Sequence, residues 1–174
     1  MKYLLTLLII FAGFVSTSAQ NPSNPFSNTP LTKLDRAFLE TKSLVESGEF
    51  KFVATWGYPQ GNSQVSLSSM NNFMMIHENR VDAYLQYYGQ VFTSRTAETN
   101  AGIVMNGTME AWKVKYDAKS RNIDYRFSYK HNRELFDVIL SISAQGGASM
   151  VVSSSKRDPI MYDGYVSEVA KSSG

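Results

Sequence analysis

The chain has 174 residues with 17 Lys+Arg against 15 Asp+Glu, a net charge of +2, which argues against a polybasic nucleic-acid surface. Apolar residues make up 43%, enough for one packed domain and too many for a disordered tail. There is no cysteine, so disulfides, thiol catalysis and Cys-ligated zinc are excluded.

Met1-Lys2-Tyr3, an apolar run from Leu4 to Val15 and the small residues Ser16-Thr17-Ser18-Ala19 have the order of a secretory signal peptide. The run is too short to span a bilayer, for which roughly twenty residues are needed. Cleavage after Ala19 is expected, with export to the periplasm, the cell surface or the medium. No later segment reaches transmembrane length. Residues 20–28, with Asn21-Pro22-Ser23-Asn24-Pro25, have no periodicity and are expected to form a flexible tether. The remainder, 29–174, is expected to be a single helix-plus-β domain.

Thr29-Pro30 has the chemistry of a helix start. Leu31, Leu34, Phe38, Thr41 and Val45 then recur at helical spacing, and Asp35, Arg36, Glu40, Lys42 and Glu46 take the opposite face. Gly48 is a suitable left-handed stop. From Glu49 the period becomes two. Phe50, Phe52, Ala54 and Trp56 alternate with polar neighbours, as do Val65 and Leu67, and a short strand is expected at Phe73 to His77. After a turn at Glu78-Asn79-Arg80, Val81, Ala83, Leu85 and Tyr87 alternate with Asp82, Tyr84, Gln86 and Tyr88.

Gly89 to Gly102 is the one long irregular stretch, and Ile103-Val104-Met105 suggests a short strand ending at an Asn106-Gly107 turn. Trp112, Val114 and Tyr116 form one face of a hairpin whose partner carries Ile123, Tyr125, Phe127 and Tyr129; this pattern predicts one face in a core and one in water. Leu135 to Ala144 reads as a central strand, followed by strands over Ala148 to Val152 and Ile160 to Val166. The fold class is therefore mainly β: an antiparallel barrel or strongly curved sheet of about 8–10 strands, with one N-terminal amphipathic helix over an open end or face.

Several runs are distinctive: Tyr84-Leu85-Gln86-Tyr87-Tyr88-Gly89, Gln145-Gly146-Gly147-Ala148, Ser155-Lys156-Arg157 and Ile160-Met161-Tyr162-Asp163-Gly164. On these, the chain over roughly residues 45–167 resembles an uncharacterised family of exported Bacteroidetes proteins, a domain of unknown function of the DUF4251 kind. Its members often carry a Leu-Pro-Tyr-aromatic-Gly run; here Gln86 stands at the proline position. The resemblance implies export and a β-rich single domain, with no catalytic residues to carry over.

Catalytic motifs are absent. His77 and His131 are far apart with no metal-helix spacing, and both read as surface or edge residues. Ser149 lacks a nucleophile elbow, and the serines of 66–69 and 153–155 read as polar strand faces. No phosphate loop or calcium loop occurs. Asp82, Asp124, Asp137 and Asp163 are strand acids expected to face water, although a closed sheet can bring two carboxylates together. Neither a metal site nor a cofactor is expected. Asn106-Gly107-Thr108 matches a glycosylation sequon but reads as a turn.

Aromatic content is the informative feature. Tyr84 and Tyr88 share one strand face and Tyr87 lies on the other, ahead of the irregular stretch that carries Arg95. Tyr84, Tyr87, Tyr88 and Arg95 are the candidate binding residues, against the alternative of ordinary cross-strand packing. Met70, Met74, Met75, Met105 and Met109 are either pocket lining or core filler. The first functional reading is an exported module binding a small apolar or amphipathic molecule, or a peptide. The second is a non-catalytic structural or interaction protein of the envelope. A hydrolase has least in its favour.

Overall fold

The computed structural model describes residues 30–61, 63–68, 71–92 and 102–170. The expected signal peptide, the tether, Thr29, Met70 and Arg95 lie outside them.

Helix α1 (Lys33–Glu46) begins three residues later than the Thr29-Pro30 signal suggested. Thr32 is the N-cap: its hydroxyl accepts from the Asp35 N–H at 3.1 Å, and the Asp35 carboxylate accepts from the Thr32 N–H at 2.9 Å. This reciprocal pair satisfies two free N–H groups and outcompetes the upstream start. The helix buries Asp35, Phe38, Thr41 and Val45 and stops ahead of Gly48, whose φ is +72°.

Ten strands follow among the described residues: β1 (Glu49–Pro59), β2 (Val65–Ser66), β3 (Phe73–His77), β4 (Arg80–Leu85), β5 (Ile103–Thr108), β6 (Glu110–Asp117), β7 (Asn122–His131), β8 (Glu134–Ser143), β9 (Gly147–Ser154) and β10 (Ile160–Ser167). All pairings are antiparallel. The strand order is β5-β4-β3-β1-β10-β9-β8-β7-β6, with β2 paired to β1 at the side. The sheet is nearly closed into a barrel, with one seam between its end strands β5 and β6.

The two end strands are consecutive in the chain, joined by Met109 alone. The chain therefore pairs with β4 up to Thr108 and with β7 from Glu110. Two devices make the transfer. The Met109 N–H donates to Asn79 O at 2.8 Å, and Ala111 takes a positive φ of 47° within a bulge between Glu110 and Lys113. The Asn106-Gly107 pair, expected to turn, runs through β5. Tyr129 of β7 reaches across the seam, its hydroxyl donating to Asn106 O and accepting from Asn106 N–H, both at 3.1 Å. Those bonds hold the backbone extended. The expected strand at Val65 and Leu67 shrinks to the two residues of β2; Leu67 itself is fully buried.

Alternation fills the barrel interior. Phe50, Phe52, Met74, Ile76, Leu85, Met105, Phe127, Leu140, Met150 and Tyr162 all face inward and are buried. Met74 and Met105 are thus core packing. Met75, on the outer face, is half-buried. Helix α1 covers the barrel end that carries the β3–β4, β6–β7 and β8–β9 turns. Thr41 Oγ1 donates to Ala144 O at 2.9 Å, and Arg121 Nε donates to Asp35 Oδ1 at 2.7 Å. The opposite end is covered by residues 86–92, bridged to the β9–β10 connection at Val91 and Arg157. Among the described residues no helix is long and apolar enough to cross a membrane.

Candidate functional site

Strand β6 is the element whose environment departs furthest from its sequence pattern. Trp112, Val114 and Tyr116 do share a face, but that face is not sealed: Trp112 is 53% exposed and the other two are half-buried. The reason is topological. Among the described residues, β6 has β7 on one side and no strand on the other. Its inward side chains meet the C-terminal end of α1 and the β3–β4 turn across a cleft of about 400 Å³.

The lining of this cleft is Val45, Glu46 and Gly48 at the helix end, Glu78 and Asn79 of the turn, and Trp112, Val114, Tyr116 and Tyr125. Trp112 lies over Tyr125 with ring centres 6.3 Å apart and planes inclined by 14°, and Phe50 meets Tyr125 edge-on from the core side. Tyr125 is only 3% exposed. Neither its hydroxyl nor that of Tyr116 has a hydrogen-bond partner among the described residues. Burial pushes both phenols up to about 12, with the Glu46 charge adding to the effect at Tyr116. Lys42 Nζ lies 5.4 Å from the Tyr116 ring centre and 3.2 Å from Glu46 Oε1.

The tyrosines singled out from the sequence gather at the other end of the barrel. Tyr84, Gln86, Tyr87, Tyr88 and Gly102 line a second cleft, of about 320 Å³. Their expected division between faces is present: Tyr87 is 5% exposed and Tyr84 44% exposed. Tyr87 is committed to packing. Its hydroxyl donates to Gln90 O and Asp158 O at 2.8 and 3.0 Å, and the Arg157 guanidinium lies 5.4 Å from its ring centre. Arg157 in turn holds Glu134, Nε to Oε1 at 2.9 Å. Burial pushes the Tyr87 phenol up to about 12. Gly89 leaves room for that hydroxyl, since a Cβ there would lie 2.4 Å from it. Tyr88 bonds to Gln86 through its hydroxyl. The strand ends at Leu85 without a proline, and the Gln86 N–H instead donates to Asn72 Oδ1 at 2.6 Å.

Tyr84 also belongs to a row on the outer face. Val104, Tyr84, Phe73, Val53 and Tyr165 are successive register partners across β5, β4, β3, β1 and β10. Five strands at the usual spacing span about 19 Å. Val104, Tyr84 and Tyr165 are all exposed, and Lys51 Nζ lies over the Phe73 ring at 4.9 Å.

The remaining candidates are placed as surface or cross-strand groups. His77 Nδ1 is 3.1 Å from Glu49 Oε1, both exposed, and His131 stacks on Tyr129. Asp124 accepts from Ser141 at 3.0 Å and Asp137 from Ser128 at 2.7 Å. Ser149 lies on the outer face opposite Asp163. Among the described residues no three His, Asp or Glu side chains are grouped to hold a metal.

The family model described as "Domain of unknown function (DUF4251)" matches residues 33–166. The chain belongs to the DUF4251 family. A crystal structure of a DUF4251 family protein from Bacteroides eggerthii DSM 20697 is similar to it, with 15% identity over 77% of this chain and 89% of that one, at a TM-score of 0.58. That likeness concerns the fold. No curated protein matches the chain. In this DUF4251 chain the β6 cleft was missed from sequence because its residues have the pattern of an ordinary half-buried strand. The available signal was the short spacing, since Met109 alone separates β5 from the strand that carries Trp112, Val114 and Tyr116.

Proposed function

We propose that this domain is an exported binding module that takes a small amphipathic molecule into the cleft beside β6. The carrying observation is the uncovered inward face of Trp112, Val114 and Tyr116, floored by Tyr125. An apolar lining with a few polar groups at its rim is the general character of small-molecule sites. The barrel interior is filled by its own side chains, so the ligand reading belongs at this seam. Export rests on residues 1–19, and N-terminal sequencing of protein from the native host tests it: a chain starting at Gln20 supports export, one starting at Met1 removes it.

Binding is tested with octyl glucoside below its micellar concentration, followed by tryptophan fluorescence and calorimetry. Saturable binding to the wild type is expected, weakened about ten-fold in Trp112→Ala. Binding unaffected by that change, or none at all, removes the cleft from consideration.

A second reading, an interaction protein of the envelope, is favoured by the outer row from Val104 to Tyr165. A photo-crosslinker at position 165 then gives a discrete adduct in the native envelope that one at position 137 does not. Equal labelling from both positions counts against this reading.

A further inference from the structure

We infer that the cleft beside β6 selects a cationic amphipath, an organic ammonium carrying a short apolar chain. The inference rests on the binding reading above and adds the charge of the ligand.

Three sources of negative potential converge on this apolar site. Glu46 and Glu78 are both in its lining, on opposite elements, and among the described residues no Lys, Arg or His lines it. Glu78 has no ion-pair partner among the described residues. The C-terminal end of α1 borders the cleft through Val45, Glu46 and Gly48, and its last turn carries no basic residue. A helix C-terminus carries roughly half a negative charge and favours cations. All this occurs in a chain whose net charge is +2, so the sign is local to the cleft. The lysines of β6, Lys113 and Lys115, alternate with the lining residues and are exposed on the opposite face.

The walls suit an ammonium as well as its chain. Trp112, Tyr116 and Tyr125 offer ring faces, and aromatic faces attract cations most strongly where water is partly excluded. Tyr125 lines the cleft, and its hydroxyl has no hydrogen-bond partner among the described residues, so it is available to accept from an ammonium N–H. The fold already seats one ammonium in this manner: Lys42 Nζ lies between the Tyr116 ring and the Glu46 carboxylate. That lysine also competes for Glu46, which leaves Glu78 as the acid best placed to meet an incoming cation.

The experiment compares octylammonium, octyltrimethylammonium, octyl sulfate and octyl glucoside, each below its micellar concentration, with the processed chain (residues 20–174), by calorimetry and tryptophan fluorescence. Both ammonium probes are expected to bind about ten-fold tighter than octyl sulfate at low salt. The Glu46→Gln/Glu78→Gln double variant is expected to lose most of that preference, binding the ammonium probes and octyl sulfate about equally, with its fold confirmed by circular dichroism; a double variant that keeps the full preference overturns the charge inference. Tighter binding of octylammonium than of octyltrimethylammonium assigns the N–H bonds to tyrosine and carboxylate; equal binding assigns the preference to charge and ring faces. If octyl sulfate or octyl glucoside binds as well as the ammonium probes, and Trp112→Ala weakens all of them, the charge inference falls and the cleft reading stands. If no probe binds, both fall.

Discussion

At the residue scale, Asp35 shows how one side chain serves two structures. The Thr32 hydroxyl bond, the Arg121 bond and the Thr32 N–H, in that order, hold its carboxyl at about 2 against an ordinary value of 3.8. The folded state therefore holds this proton less tightly than the unfolded chain. The resulting stability is fully present above the ordinary value and is lost as pH falls from there through about 2. Asp35→Asn is expected to unfold more easily than the wild type in urea at pH 6, with the difference closing by pH 2. A gap that is constant across that range contradicts the assignment. Gly164 makes a sharper case. A Cβ there would sit 1.9 Å from Val53 O, at the register shift between β1 and β10. Gly164→Ala must displace a central strand pair, and a loss of about 3 kcal/mol is expected by denaturant titration, in the range of steric overpacking.

At the scale of elements, the two barrel ends are closed by different chemistry. Helix α1 covers one end with an apolar face and a few long-range bonds. Thr41→Val removes the donor to Ala144 O and is expected to cost about 1–2 kcal/mol, with the helix content retained by circular dichroism. Residues 86–92 cover the other end through a polar cluster: Tyr87, Arg157 and Glu134. Arg157→Ala leaves the Glu134 carboxylate largely buried without its cation. A loss of about 3 kcal/mol is expected, with faster proteolysis of the 86–92 connection. Strands were legible in the sequence wherever both sides were paired, because burial then follows period two, as in Phe127 to Tyr129 of β7 and Val138 to Ile142 of β8. The helix body was equally clear from Phe38, Thr41 and Val45. Its start was not: Thr29-Pro30 and Thr32 carry similar capping chemistry, and only the reciprocal bond to Asp35 separates them. Asn106-Gly107 was misread for a related reason, since the Tyr129 hydroxyl that holds it extended is more than twenty residues away.

At the scale of the whole molecule, closure is the property local patterns do not carry. Eight of the nine junctions in the strand order are hydrogen-bonded ladders, and the ninth is left to Met109, Tyr129 and the bulge at Ala111. The candidate cleft is a product of that incomplete closure. The tyrosine cluster, by contrast, was visible as residues, and its division between faces followed from alternation. What the sequence did not disclose was that Tyr87 bonds to Gln90 and Asp158, so of the three only Tyr84 and Tyr88 remain open to solvent.

The free side of β6 has one more effect, on how the molecule behaves when concentrated. A strand with an unused row of amide and carbonyl groups is a template on which another such strand can add, and copies would then grow into fibres. Lys113 and Lys115, set on that strand at alternate positions, oppose such growth by mutual repulsion between stacked copies. Acetylating them, or replacing both by glutamine, is expected to bring on thioflavin-positive aggregates at concentrations where the unmodified protein stays clear. On that expectation the two cations guard an edge that the backbone alone would invite a neighbour to extend.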